Sequence, residues 1–162
     1  MELLNVYDNN GKLLNKTMAR HDKNFAENEN IKVVTVWIKC KDKYLIQKTS
    51  AQKGGRYAVT GGHVQAGKTS KEQVCIEVEE ELGITIKQEQ LKFLGQTLEN
   101  HKFTDVFLLV DDRFDLRKFT LQTEEVEAVF WLSTAQIDEL IEQEVFRKSS
   151  QDQYELFIKK SQ

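Results

Sequence analysis

The chain has 162 residues, with 23 Lys and Arg against 26 Asp and Glu and a formal charge of −3. This length predicts one domain, and the near-balanced charge excludes a generic basic nucleic-acid surface and a polyacidic tail. No run reaches the roughly 18 apolar residues of a membrane span, and the N-terminus has no basic-then-apolar signal. Two cysteines are too few for a disulfide framework. We therefore expect a cytoplasmic protein that binds neither nucleic acid polymers nor membranes.

The first third of the chain predicts strands. Asn10-Gly11 separates two short apolar runs, which is the pattern of a β-hairpin over residues 1–17. Residues 18–30 are polar and predict a loop. Residues 31–39 are rich in β-branched side chains and predict a central strand, with a partner strand over 44–47 after a short turn.

A capped helix is predicted in the middle of the chain. Thr69 and Glu72 form a capping-box pattern, and Gly83 suits the residue after the helix, so the helix should span 69–82. Further strands are expected over 91–99, 103–110 and 128–132, and further helices over 133–144 and 151–160. Strands on either side of one capped helix predict an α/β (α+β) sandwich with a mixed sheet.

The predicted helix has an acidic face opposite its apolar one. Glu77, Glu80 and Glu81 fall together at helical spacing, away from an apolar stripe of Val74, Cys75, Val78 and Leu82. Like charges at this spacing repel by a few tenths of a kcal/mol per pair, and the C-terminal end of a helix disfavours anions. Two interpretations stay open from these residues alone: a solvated acidic face, or a group of ligands for a cation.

A glycine pair just before this helix favours the cation site. Gly61 and Gly62 permit the close backbone approach that a phosphate or metal requires. Three carboxylates and a backbone carbonyl are the hard oxygen ligands that Mg²⁺ or Mn²⁺ prefers.

Residues 62–84 resemble a Nudix box, whose pattern is G-x5-E-x7-R-E-U-x-E-E-x-G-U with U an aliphatic residue. The matching positions are Gly62, Glu77, Val78, Glu80, Glu81, Gly83 and Ile84. Two positions depart from the pattern, because Lys68 stands in place of Glu and Ile76 in place of Arg. The loop over 57–64 and the N-terminal hairpin resemble the Nudix branch close to isopentenyl-diphosphate isomerases. The resemblance covers roughly residues 1–145 and implies a single Nudix domain over 1–162 with an α/β/α sandwich fold.

The resemblance implies a divalent-metal-dependent hydrolase, with Mg²⁺ or Mn²⁺ as cofactor. Its substrate would be a small phosphorylated molecule, such as a nucleoside diphosphate derivative, cleaved at a pyrophosphate linkage. The Gly61 carbonyl, Glu80 and Glu81 would hold the cation, and Glu77 would be a further ligand or the general base. Dimers are common among relatives, so the resemblance leaves a homodimer open, while the sequence itself does not indicate an oligomeric state.

The resemblance leaves the general base open. Glu124 and Glu125, in a later loop, are candidates beside Glu77, although an ordinary polar turn explains them equally well. Arg56 and Tyr57 precede the glycine pair and are candidate substrate contacts, as is Gly62.

The two departures from the box raise an alternative. Lys68 would either weaken metal binding or contact a substrate phosphate, and a solvent-facing loop lysine is the other interpretation. The arginine expected at position 76 would orient the neighbouring glutamate through a charge-assisted bond, which Ile76 cannot do. A weakly active or inactive nucleotide-binding or regulatory module is therefore the alternative function.

Isomerase activity is not expected. Isomerases of the related branch carry a catalytic cysteine where this chain has Gly61, and Cys40 and Cys75 lie elsewhere in the sequence. His63 matches a metal-ligand histidine of that branch, but this residue alone is better explained as an ordinary loop position.

Overall fold

The computed structural model describes residues 2–161. It confirms the N-terminal hairpin, in which β1 (Leu3–Tyr7) pairs antiparallel with β2 (Leu13–Ala19). In the connection between the two strands, one Asp8 carboxylate oxygen accepts hydrogen bonds from the backbone N–H of Asn10 and of Lys12, each at 2.9 Å. Since β2 continues to residue 19, the predicted loop begins later than residue 18.

The main sheet is mixed and has seven strands. They are β3 (Ile31–Cys40), β4 (Lys43–Thr49), β5 (Tyr57–Ala58), β6 (Thr60–His63), β7 (Leu91–Glu99), β8 (Lys102–Val110) and β9 (Val126–Leu132). Strands β3 and β8 run parallel, and the other pairs are antiparallel. The predicted central position of β3 is confirmed, since it pairs with β4, β6 and β8.

Helices cover both faces of this sheet. They are α1 (Ser70–Leu82), α2 (Thr134–Glu142) and α3 (Lys148–Gln153), the last continuing as a π-helical stretch over Tyr154–Ile158. On one face, Val34 of β3 joins a core with Val78 of α1, and on the other Trp37 joins a core with Tyr154. A strand buried on both faces explains the near-continuous apolar run in β3. The α/β/α sandwich is thereby confirmed.

Local signals fix both ends of α1. The Thr69 hydroxyl accepts from the Glu72 N–H at 3.2 Å, and the Glu72 carboxylate accepts from the Thr69 N–H at 2.9 Å. Gly83 adopts φ 70° and donates its N–H to the Glu79 carbonyl at 2.9 Å. The capping box and the glycine after the helix are both as predicted.

The C-terminal helices differ from their predicted bounds. Helix α2 ends at residue 142, ahead of Glu144, which has a φ of 59° that a helix cannot continue through. Helix α3 begins at residue 148, earlier than predicted, because the Arg147 N–H is held by the Tyr57 carbonyl at 2.7 Å and its own carbonyl accepts from the Gln151 N–H. None of the helices within residues 2–161 is long and apolar enough to cross a membrane.

Candidate functional site

Two carboxylates of α1 meet at the edge of the sheet. The side chains of Glu77 and Glu81, one helical turn apart, interact with each other; Glu81 is only 7% exposed, and Glu77 is half-buried. Each also accepts a hydrogen bond from a glutamine side chain: Glu81 from Gln47 at 3.0 Å and Glu77 from Gln73 at 3.1 Å. The helical spacing therefore produces a carboxylate pair with one buried and one half-buried member.

The two glutamines are themselves held in one orientation. The Thr60 hydroxyl donates to Gln47 Oε1 at 3.0 Å, and the Gln65 N–H donates to Gln73 Oε1 at 3.1 Å. With both amide oxygens occupied, both amide nitrogens face the carboxylates. Neutral amides thus orient the carboxylates. The Nudix-box pattern has a charged arginine for this role at position 76, where this chain has isoleucine.

The pair is held in a state that retains a proton. Burial is the largest cause that raises the pKa of both Glu77 and Glu81. The charge of Glu77 raises the pKa of Glu81 further, and the charge of Glu80 raises the pKa of Glu77. Two contacting buried carboxylates cannot both ionise without a compensating cation. The arrangement therefore provides oxygen ligands whose shared proton a metal ion can replace.

The glycine pair fits tightly against the protein itself. A Cβ at Gly62 would lie 2.2 Å from Glu77 Oε1, and a Cβ at Gly61 would lie 2.4 Å from the Val34 carbonyl oxygen. The predicted reason for these glycines was close approach to a phosphate or metal. The structure gives a different immediate reason, because a side chain at Gly62 would displace a carboxylate of the site.

The predicted set of three clustered carboxylates is only partly formed. Glu80 is exposed, and within residues 2–161 no three His, Cys, Asp or Glu side chains are gathered closely enough to hold a metal. The reason is helical geometry, since Glu80 lies about 100° around the axis from its buried neighbour Glu81. The Glu77–Glu81 pair and the Gly61 backbone still supply hard oxygen donors that fit a divalent cation, and Glu81 and Gly61 line one cleft.

A cleft of about 380 Å³ opens beside the pair. Its acidic end includes Glu81 and Glu125, and Gln47 and the two glycines also line it. Four cationic side chains also line it, together with neutral residues: Arg20, Lys53, Lys102 and Arg147. Such a cleft places oxygen ligands and positive charge within one volume, which suits an anion held against a metal.

A second, larger cavity of about 1320 Å³ adjoins the first. Residues that line both are Arg20, His63, Lys102, Thr104, Ser149 and Gln153. The Nδ1 atom of His63 is buried, and no described residue hydrogen-bonds to it. Burial, followed by the charges of Arg20 and Lys102, lowers the pKa of His63 to about 4, so the ring is neutral near pH 7.

The two candidate bases of the later loop are placed differently. Glu125 lines the cleft and forms an ion pair with Lys53 at 3.4 Å. The side chain of Glu124 is exposed and outside the cleft, and its backbone carbonyl accepts from the Ser50 hydroxyl at 2.7 Å. The structure therefore keeps Glu125 and Glu77 near the site and removes Glu124 from it.

Three predicted substrate contacts lie outside both cavities. The Arg56 guanidinium donates to the Glu144 carbonyl at 2.9 Å, and Tyr57 packs against Phe130 with ring centroids 6.0 Å apart. Both residues are thus used to attach β5 to neighbouring segments. Lys68 is exposed at the N-terminal end of α1, at the opposite end of the helix from Glu81. Of the expected substrate contacts, only Gly62 lines the cleft.

The cysteines belong to the core. Cys40 is 4% exposed within the core beneath α1, and the half-buried Cys75 packs against the same core. Neither lines either cavity. This placement agrees with the expectation that the catalytic thiol of an isomerase is absent.

Sequence reasoning missed the glutamines and several cations. Gln47 lies in a strand and Gln73 in a helix. The sequence patterns that predict these elements identify their apolar residues but not the role of the glutamines. Arg20, Lys102 and Arg147 come from three distant segments and reach one cleft only through the tertiary fold. The only sequence signal for these cations is the basic residue itself, and no regular spacing between the three segments predicts that they meet.

The NUDIX domain family model matches residues 30–154, and the chain belongs to this family. No curated protein gives a significant match. Among solved structures, DR0079 from Deinococcus radiodurans is 21% identical, with 86% of this chain and 88% of that chain covered and a TM-score of 0.69. A MutT NUDIX hydrolase from Burkholderia pseudomallei is 21% identical, with 65% and 84% covered and a TM-score of 0.54.

A third solved structure is a bifunctional NMN adenylyltransferase/ADP ribose pyrophosphatase from Francisella tularensis, complexed with AMP and a Mn ion. It is 19% identical, with 75% of this chain and 38% of that chain covered and a TM-score of 0.60. At these identities the three likenesses show the shared fold.

Proposed function

We propose that the protein is a divalent-cation-dependent hydrolase that cleaves a pyrophosphate linkage in a nucleoside diphosphate derivative or a similar small phosphorylated molecule. The supporting observation is the Glu77–Glu81 pair, whose buried member Glu81 lines the acidic end of a cleft that four cationic side chains also line. Membership of the NUDIX family and the hydrolases among its solved members support the same reaction class.

Mg²⁺ or Mn²⁺ would be held by Glu77, Glu81 and the Gly61 carbonyl, with the exposed Glu80 one turn from Glu77 as a further ligand. When bound, such an ion neutralises charge on pyrophosphate oxygens. Gln47 and Gln73 keep the two carboxylates aimed at one place.

Glu125 is our candidate for the general base, with Glu77 as the second. Glu125 lines the cleft, and its partner Lys53 is only 3.4 Å away and holds its carboxylate at the wall. In the proposed step, a water oxygen forms a bond to phosphorus, the bridging P–O bond breaks, and the carboxylate takes the water's proton. A positioned general base typically contributes about 10²–10⁴-fold to the rate.

A second candidate function is a nucleotide-binding or regulatory module without turnover. It is favoured by Ile76, by the neutral donors that orient the carboxylates, and by the exposed position of Glu80. This function predicts that a nucleotide raises the melting temperature while no product forms.

The test is phosphate release from a panel of nucleoside diphosphate derivatives and dinucleoside polyphosphates, with Mg²⁺ and with Mn²⁺. We expect turnover of at least one compound, and a loss of about 100-fold or more in Glu80→Gln and Glu81→Gln. Glu79→Gln is the matched control, because Glu79 is an exposed glutamate of the same helix. Wild-type rates in the two site variants would refute the proposed metal ligands, and stabilisation without product would favour the second function.

A further inference from the structure

Gln153 is a buried side chain whose position lies between the two cavities. It is 2% exposed and ends α3, where the helix widens into its π-helical stretch. Its Oε1 accepts from the Thr35 hydroxyl at 2.8 Å and from Trp37 Nε1 at 3.1 Å. Because indole N–H groups only donate, the amide orientation is fixed with the oxygen toward β3.

The amide nitrogen of Gln153 is then available to donate hydrogen bonds to a ligand. Nε2 carries two N–H groups, and no acceptor within residues 2–161 takes either of them, while Gln153 lines both cavities at their junction. Among the described residues, only His63 Nδ1 is a fully buried side-chain nitrogen or oxygen without a partner, so the Gln153 nitrogen is open to the cavities and free to donate to a ligand. π-helical turns also occur frequently at functional sites. An acceptor from a ligand would satisfy this amide.

Positive charge surrounds the same junction. Lys102 lines both cavities and Arg147 lines the smaller one, and neither forms an ion pair with another described residue. Arg20 also lines both cavities, but it is paired with Glu2 at 3.0 Å. The acidic neighbours of the larger cavity are Asp22, Glu99, Asp152 and Glu155, of which Asp152 is paired with Lys148 at 2.9 Å.

We propose that this junction is a phosphate-binding subsite, in which Lys102, Arg147 and the Nε2 group of Gln153 hold a phosphoryl group beyond the one bound near the Glu77–Glu81 pair. This inference rests on the proposed function and extends it to a substrate class. Preferred substrates carry a second phosphate group past the scissile linkage, either in a longer phosphate chain or on a phosphorylated sugar. An ammonium, a guanidinium and an amide all donate, so the subsite selects acceptors.

Binding without metal tests the subsite independently of hydrolysis. Metal-free protein is titrated calorimetrically with inorganic tripolyphosphate and, separately, with a hexose 1-phosphate. We expect wild-type protein to bind at least one of them, and Lys102→Gln and Arg147→Gln each to weaken that binding about tenfold. Lys43→Gln is the matched control, since Lys43 is an exposed lysine at the start of β4 that lines neither cavity.

Gln153→Glu is the most specific variant. It keeps an oxygen for Thr35 and Trp37 but replaces the amide donor by a second carboxylate oxygen, so binding should fall by more than tenfold. A melting curve checks that each variant folds. If Gln153→Glu does not fold, the binding of the Lys102→Gln and Arg147→Gln variants decides whether the subsite exists. Unchanged binding in Lys102→Gln and Arg147→Gln, or no binding of either probe by wild-type protein, would overturn the subsite.

The two proposals fail in different ways. Binding that depends on Lys102 and Arg147, together with no turnover of any panel compound, supports the subsite and refutes the hydrolase. Turnover without such dependence keeps the hydrolase and refutes the subsite. The two titrations also distinguish the substrate classes. Tighter binding of tripolyphosphate indicates a longer phosphate chain, and tighter binding of the hexose 1-phosphate indicates a phosphorylated sugar.

Discussion

The side-chain amide of Gln73 donates a hydrogen bond to Glu77 across one turn of α1, with Nε2 and Oε1 separated by 3.1 Å. Gln73 is fully buried, and its own oxygen accepts from the Gln65 N–H. This relationship orients Glu77 without supplying charge. A neutral donor therefore leaves the Glu77–Glu81 pair dependent on a proton or a cation.

Replacing the donor should destabilise the protein. Gln73→Leu removes the bond to Glu77 and leaves the partly buried Gln65 N–H without its acceptor, so we expect a loss of about 1–3 kcal/mol in the free energy of unfolding. Urea denaturation measures it. Gln88→Leu, at an exposed glutamine, is the control. A Gln73→Leu protein as stable as wild type would show that the amide has no orienting role.

The stability of the metal-free protein should fall as the pH rises. Burial raises the pKa of Glu77 and Glu81 above the ordinary carboxyl range, so the folded pair keeps protons that the unfolded chain releases. The folded state then binds more protons, and the free energy of unfolding decreases with pH above about 4.3. Below that range both states are protonated and the effect vanishes.

The variant Glu81→Gln isolates this effect. We expect it to raise the stability of the metal-free protein in mildly alkaline buffer, on the order of 1–3 kcal/mol, and to flatten the pH dependence. Thermal unfolding across a pH series measures both. The interpretation of the pair would be wrong if wild type and variant showed the same pH profile.

The close packing of Gly62 against Glu77 predicts coupling between the two positions. Gly62→Ala should cost about 1–3 kcal/mol, because its Cβ would meet the carboxylate oxygen at 2.2 Å. In a Glu77→Ala background that oxygen is gone and the cost should shrink. A double-mutant cycle in urea measures the difference, and additive effects of the two substitutions would contradict the observed contact.

A charged donor at position 76 should strengthen the site. Ile76→Arg supplies the charge-assisted bond that the family pattern contains, so we expect metal affinity or hydrolysis to rise roughly tenfold. Titration with Mn²⁺ and phosphate release measure these two quantities. Lys68→Glu alone should change little, because Lys68 is exposed at the far end of α1. A gain from Lys68→Glu by itself would overturn this view of the two departures.

The features that could be predicted from sequence are the locally encoded ones. The ends of α1 follow from Thr69 and Gly83, whose roles need no tertiary contact. The contact between Glu77 and Glu81 follows from helical spacing. Their unequal exposure does not, since sequence spacing cannot tell which side of an acidic face the sheet will cover.

The rest of the site depends on tertiary contacts. Gln47 reaches Glu81 only because β4 lies beside α1, and Gln153 reaches β3 only because the C-terminal helix covers the opposite face. Lys102 and Arg147 approach one cleft from the start of β8 and the residue before α3. Strand pairing and helix packing bring these side chains together. Neither the composition nor the periodicity of the sequence predicts these contacts.

The central claim is that the Glu77–Glu81 pair exchanges a shared proton for a divalent cation. The most direct measurement is calorimetric titration of the protein with Mn²⁺ near neutral pH in buffers of different ionisation enthalpy, which counts the protons released. We predict about one proton per bound ion for wild type and none for Glu81→Gln. Binding of Mn²⁺ without proton release, or equal release by both proteins, would contradict the claim.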